Sequence, residues 1–496
     1  MADAKRVFIS YVKENSREVD QLCAILDAAQ IPYWRDRTSL GPGDAWRLKI
    51  RQAIKDGALV FLACFSEKSR ARDKSYMNEE LVLAVEEYRL RAYGRPWLVP
   101  VRFDDSDVPL MDLGAGRTLD DINRVDLFGD QYAAQAAALV TTIHRVMGDS
   151  TADEATTLAS IEAAGSSARP AQLRRLTKEM LPDPSRRIAL DDLVTTETSR
   201  LVQAMQDETQ FPLSLAVTNG PEAFAEVVDT ATRYWALTEP LCATLQVAAR
   251  WADKTALAPW TSAIQRVHSE SNRVLGGNTA LLGLRQLPLL FVTFTAGLSA
   301  ASQDRWDNLK TLLVDMVVTE SRRDSPTPLV SAIYPYLPFE GPDLVPHVLA
   351  RVAREGETST VALEAFEKKR VGKFHTPVAE WLHSILKPVF SEQLPDEALY
   401  DRQFDRTEIV LGLLDQDRAN EAANGWRPSA HWFGRSTWRA RHGYVTSLQE
   451  FTSQLTAQQH AWPPLQAGLF GGSVERAQAA IRAYTESFER IGWSSW

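Results

Sequence analysis

The stretch ALVFLACFS, residues 58–66, is apolar without a break until its final serine. A strand with one wet face alternates apolar and polar residues. An unbroken run of this length marks a strand buried on both faces of a parallel sheet. Such a strand needs helices on either side, and the flanking sequence supplies them. RVFISY (6–11) reads as a first strand. Asn15 or Ser16 can cap a helix carrying Val19, Leu22, Cys23, Ile25 and Leu26. IPYWRD (31–36) is a second strand, LGPGDAW (40–46) a turn, and Asp44 a cap for a helix carrying Trp46, Leu48, Ile50 and Ile54. After the apolar run come a helix rich in glutamate, a fourth strand in RPWLVPVRF (95–103), a short fifth in NRVDLF (123–128), and a helix over 131–147. The series predicts a doubly wound parallel sheet with right-handed crossovers. In such sheets ligands bind beyond the carboxyl ends of the strands. Ser10 and Tyr11, Asp36, and Ser66 stand at three of those ends.

The glutamate-rich helix, KSYMNEELVLAVEE (74–87), enters the same rim. At about 100° per residue, Met77, Leu81, Ala84, Val85 and Tyr88 fall on one apolar stripe. Glu79 and Glu86 then face solvent. Glu80 falls on the flank of the stripe beside Tyr76 and Ala84, half buried at the edge of a core. A boundary glutamate of this kind either dresses a helix or lines a cleft.

From residue 149 to 170 the sequence is small and polar, ending in Gly, Ser and Pro, and reads as a linker. It separates a first domain, 1–148, from a mostly helical region, 171–496, which the Pro-rich connections at 325–327 and 335–342 divide further. Helical runs are expected at 221–238, 241–252, 303–319, 343–354, 359–369, 405–423 and 474–490, without a fixed repeat period. The apolar segment LPLLFVTFTAGLSAA (287–301) falls short of the about 20 residues a membrane span needs, and is expected as a buried helix. HWFGRSTWRARHGY (431–444) mixes Arg435, Arg439 and Arg441 with His431, His442 and aromatics. Charge plus stacking of this kind suits a phosphorylated ligand or nucleic acid; it equally suits a loop-to-helix junction with solvated arginines.

The formal charge is −9, with acids and bases interleaved, which argues against a general nucleic-acid or anionic-membrane surface. Cys23, Cys64 and Cys242 lie far apart in apolar sequence and read as buried free thiols of a reducing compartment. Neither CxxC nor HExxH occurs, so no metal site is expected. No hydrophobic signal core precedes the first strand. A cytoplasmic protein without a membrane anchor is the expectation.

Taken together, FISY (8–11), YWRD (33–36), RTSLGPGDAW (37–46), FLACFSEKS (61–69) and SYMNEEL (75–81) resemble, in order and spacing, the TIR domain, the Toll/interleukin-1-receptor fold, in its bacterial branch. The resemblance covers about residues 4–148. It implies an α/β flavodoxin-like parallel sheet, followed here by the mostly helical region. Catalytic members of the family carry a glutamate four residues after an aromatic, usually Trp, near the start of the third helix. Here that pair is Tyr76 and Glu80, with Glu79 out of register. The family's reaction is cleavage of the nicotinamide–ribose bond of NAD⁺, which is substrate rather than cofactor. No GxGxxG follows the first strand, so a redox dinucleotide site is not supported.

The chemistry suits a lone carboxylate. Nicotinamide leaves NAD⁺ as a neutral amine and needs no general acid; the barrier lies in oxocarbenium charge developing on the ribose. A fixed carboxylate at about 4 Å, at an effective dielectric near 20, attracts that charge by roughly 4 kcal/mol, about a thousandfold in rate. Around Glu80, Trp34 and Trp46 are candidates for stacking on nicotinamide or adenine, or for packing. Ser10, Tyr11 and Ser66 are candidates for ribose or phosphate contacts. Asp36 is a candidate for the same or for holding the loop that follows. Among Lys13, Arg35 and Arg37, Arg37 is best placed for the pyrophosphate because it opens that loop. The loop, with Gly41, Pro42 and Gly43, resembles the family's BB loop, which implies self-association of TIR domains on activation. By the same resemblance the helical region senses an unknown trigger or assembles the effector, and the biology is antiviral defence by NAD⁺ depletion. Two other readings stay open: a non-catalytic TIR adaptor, and a TIR cyclase that makes a cyclic ADP-ribose signal.

Overall fold

The computed structural model describes residues 6–29, 31–35, 58–72, 76–91, 96–114, 116–129, 132–147, 169–215, 220–319, 326–339, 344–422, 432–440 and 446–494. Residues 149–168 of the linker expected at 149–170, the BB-loop segment with Asp36, Arg37, Asp44 and Trp46, and His431, Arg441 and His442 lie outside the described residues; the last two linker residues instead open the helix Arg169–Met180. Contacts divide the chain into two compact units, Met1–Gln172 and Leu173–Trp496.

The first unit is built on five parallel strands: β1 (Arg6–Ser10), β2 (Tyr33–Trp34), β3 (Ala58–Phe65), β4 (Leu98–Arg102) and β5 (Val125–Asp126), in spatial order β2-β1-β3-β4-β5. Alternation sorts their side chains onto two faces. Val7, Ile9, Val60, Leu62 and Cys64 join one core with α1 (Ser16–Ala28) and with the helix over Tyr132–Met147. Phe8, Phe61, Ala63 and Phe65 join the other, beneath the glutamate-rich helix over Tyr76–Leu90. Both faces of β3 are therefore covered, as its unbroken apolar run requires. At the far edge Arg102, almost fully buried, grips Asp126 with Nε–Oδ1 at 2.7 Å and Nη2–Oδ2 at 2.8 Å, a fork that ties β5 to β4.

One cap differs from expectation. Asn15 precedes α1 but makes no side-chain cap bond; its Oδ1 accepts instead from the Ser66 hydroxyl at 2.7 Å.

The second unit is mostly helical. At its centre the helix Leu287–Ala301 is buried along its whole length, packed against the long helix Pro221–Trp251. The apolar segment Thr279–Ala301 is, among the described residues, the one stretch long and apolar enough to cross a membrane; 83% of its apolar window is buried inside the protein. A core helix that is hydrophobic all round has this character. The sequence predicts separate helices over 221–238 and 241–252; a single helix runs through Pro240. The run expected at 303–319 is broken into Trp306–Leu309, a π turn over Lys310–Val314, and a two-residue strand Val317–Val318 that pairs with Thr327–Pro328. All three cysteines are buried and free.

Candidate active site

Chain order and spatial order part company at β1, which lies between β2 and β3. This is the switch point of a doubly wound sheet, where adjacent connections leave toward opposite faces and open a crevice at the strands' carboxyl ends. β1 ends there in Ser10, which is 1% exposed. Two residues after Phe8, it points to the same face, toward the glutamate-rich helix. The Ser10 hydroxyl donates to Glu80 Oε2 at 2.6 Å.

The helix presents Glu80 at that point because its apolar stripe is fixed by the sheet. Met77, Leu81, Ala84 and Val85 are buried, Glu79 and Glu86 are exposed, and Glu80 is half-buried between them. The carboxylate is held on one side by a core hydroxyl, between exposed Glu79 and buried Leu81.

An aromatic row leads up to this pair on the same face. Trp34 on β2 lies beside Phe8 on β1, by register and by ring contact, with centroids 4.7 Å apart. Phe8 stacks in turn on Phe61 of β3 at 5.1 Å, with planes 8° apart. Trp34 is only partly buried, so part of its indole remains available at the rim. Phe8 itself is buried in the core beneath the glutamate-rich helix and supports Trp34 from below.

The other candidates are placed differently. Tyr11 leaves the strand toward the opposite face and packs, partly buried, against the α1 core. Ser66 is 0% exposed; its oxygen accepts from the Ser69 amide, capping the short helix Glu67–Arg70, while its proton goes to Asn15. Its hydroxyl is therefore committed inside the protein in this state. Arg35 pairs with Asp20 of α1 at 2.5 Å, which draws it to the face away from Glu80. Lys13 is exposed. Tyr76 begins the glutamate-rich helix; its side chain, like Asp36, Arg37 and Trp46, lies outside the described residues.

Residues 7–140 match the family model of the TIR domain. The N-terminal unit contains a TIR domain. The match spans all five strands and the glutamate-rich helix, so the Ser10–Glu80 pair lies within the TIR domain. No curated protein matches the chain.

Proposed function

We propose that the TIR domain cleaves the nicotinamide–ribose bond of NAD⁺ and that Glu80 is its catalytic carboxylate. The observation that carries this reading is the Ser10–Glu80 hydrogen bond at the β1 switch point. It fixes a half-buried carboxylate where a doubly wound sheet receives ligands. A carboxylate already oriented by a core hydroxyl stabilises developing oxocarbenium charge without reorganising in the transition state. It needs no partner acid, because the departing nicotinamide is neutral. Trp34, partly open beside Phe8, offers a flat face for the nicotinamide or adenine ring.

Contacts from Asp36, Arg37, Trp46 and Tyr76 to the substrate, self-association of the TIR domains, and control by a trigger acting on the helical unit belong to the same proposal; Tyr11, packed on the opposite face, does not. They rest on the family resemblance, as does antiviral defence through NAD⁺ depletion. The test is nicotinamide release from NAD⁺ by the full chain and by Glu80→Gln, at concentrations that permit assembly. Release of nicotinamide with ADP-ribose as co-product fits a hydrolase; a cyclic isomer instead marks the cyclase. No release from the clustered wild-type protein turns the reading to a TIR adaptor.

A further inference from the structure

The helical unit contains a polar cavity of about 580 Å³, within the range of small-molecule sites. Five separate segments wall it: the end of the helix Val345–Glu355, the connection with Lys373, Phe374 and His375, the helix Pro377–Phe390, the start of Glu397–Ala422, and the short helix Arg435–Arg439. Glu380, His383, Ser384 and Lys387 line it at one-turn spacing along a single helix face.

Its floor is built around Arg435, which is 6% exposed. The guanidinium lies between two carboxylates, with Nε 3.4 Å from Glu380 Oε1 and Nη1 3.5 Å from Asp401 Oδ1. Those separations attract charge but are too long for good hydrogen bonds, and neither nitrogen has a hydrogen-bond partner among the described residues. The carboxylates are engaged elsewhere. Asp401 meets His383 Nε2 at 2.7 Å and Arg439 Nη1 at 3.1 Å, and Glu380 accepts from the Trp438 indole at 3.2 Å. Buried donors without acceptors are costly and uncommon in a folded protein. Arg435 lines the cavity, so acceptor atoms of a ligand at its base meet a guanidinium whose carboxylate contacts are long. The floor thus sets donors directly beside carboxylate acceptors, the complement of a ring nitrogen next to an amino group.

The rim is cationic. Arg354, Lys373 and Lys387 stand around the opening. Lys373 is exposed and has no ion-pair partner among the described residues. Among the described residues Arg354 pairs with Glu355 and Lys387 with Glu397 on the surface, contacts that water makes weak. On the same wall Trp438 and His375 hold their rings 6.3 Å apart, tilted by 46°.

We propose that this cavity binds a nucleotide. Its amino-bearing ring lies against Trp438 with its edge on Arg435 and Glu380, and its phosphates meet Arg354, Lys373 and Lys387. The site is independent of the chemistry assigned to Glu80.

The test is calorimetric titration of the full chain with ATP and, separately, with inorganic pyrophosphate. We expect saturable ATP binding, at least about tenfold tighter than pyrophosphate. The paired change Arg354→Glu/Lys373→Glu, at exposed positions, is expected to weaken ATP by at least about tenfold with an unchanged melting temperature. Trp438→Ala is expected to weaken ATP and leave pyrophosphate unaffected. Glu80→Gln is expected to bind ATP as the wild type does. Absence of ATP binding up to about 1 mM, or ATP affinity unmoved by the rim change, overturns the site. Pyrophosphate binding as tight as ATP overturns the nucleotide assignment.

Discussion

Ser10 and Glu80, seventy residues apart, are joined by a hydrogen bond of 2.6 Å, and that bond orients the carboxylate on which the proposed chemistry depends. Hydrogen bonds to charged groups contribute about 1.5–3 kcal/mol. Ser10→Ala should therefore lower kcat for nicotinamide release by roughly ten- to a hundredfold, with KM for NAD⁺ within about twofold. Ser10→Thr keeps the donor and should recover most of the rate. A KM rise with kcat intact would assign Ser10 to substrate contact instead of positioning.

Self-association is expected to show in the concentration dependence of activity. Across the range in which the protein assembles, nicotinamide release should rise more steeply than in proportion to enzyme. Strict proportionality would remove assembly from the account.

Gly434 is fixed by close approach rather than by its backbone angles. A Cβ there would stand 2.0 Å from Glu408 Oε1, because that buried carboxylate accepts the amides of Arg435 at 3.0 Å and Ser436 at 2.9 Å. The contact anchors the short helix that carries Arg435 and Trp438. Gly434→Ala should cost about 1–3 kcal/mol by overpacking, lowering the melting temperature by several degrees; an unchanged melting curve would contradict the contact.

Glu408 also sets a pH dependence. Burial pushes its pKa up to about 8; the neighbouring Asp405 adds to the rise, and the amides of Ser436 and Arg435 oppose it. In the unfolded chain a glutamate titrates near its ordinary value of about 4.3. Between these two values the unfolded chain releases this proton more readily than the native one. The contribution is therefore complete below the unfolded value and is lost as pH rises through about 8. Denaturation at pH 5.5 and at pH 8.5 should show the helical unit less stable at the higher pH, by at most about 3 kcal/mol from this group. Glu408→Gln should lower stability at both values and flatten the difference between them. A slope that persists in the variant would place its origin elsewhere.

Helical and strand periodicities are short-range signals, and what they govern was readable. The burial of Met77, Leu81, Ala84 and Val85, the exposure of Glu79 and Glu86, and the intermediate place of Glu80 all follow from one turn angle. The two-sided burial of β3 follows from its composition. The partner of Glu80 did not follow, because a contact across seventy residues is set by which strands lie side by side. Asn15 shows the same limit: its cap role is a local inference, while its bond to Ser66 is tertiary.

Pro240 reads locally as a break, since it lacks the amide that would bond one turn back. The helix continues because Leu241, Cys242 and Leu245 are fully buried in the unit's core. Val317 and Val318 pair with a segment ten residues further on, which a helical reading of 303–319 cannot contain. Of the cavity in the helical unit, the sequence singled out Arg435 and gave no sign of Glu380, Asp401, Arg354 or Lys373, which come from four other segments.

The most direct measurement is nicotinamide release from NAD⁺ by the full chain beside Glu80→Gln, with both at the same high concentration and matched in melting temperature. The account predicts release by the wild type and a loss of at least about a hundredfold in the variant, in line with the electrostatic stabilisation one fixed carboxylate supplies. Equal release by the two proteins would contradict it.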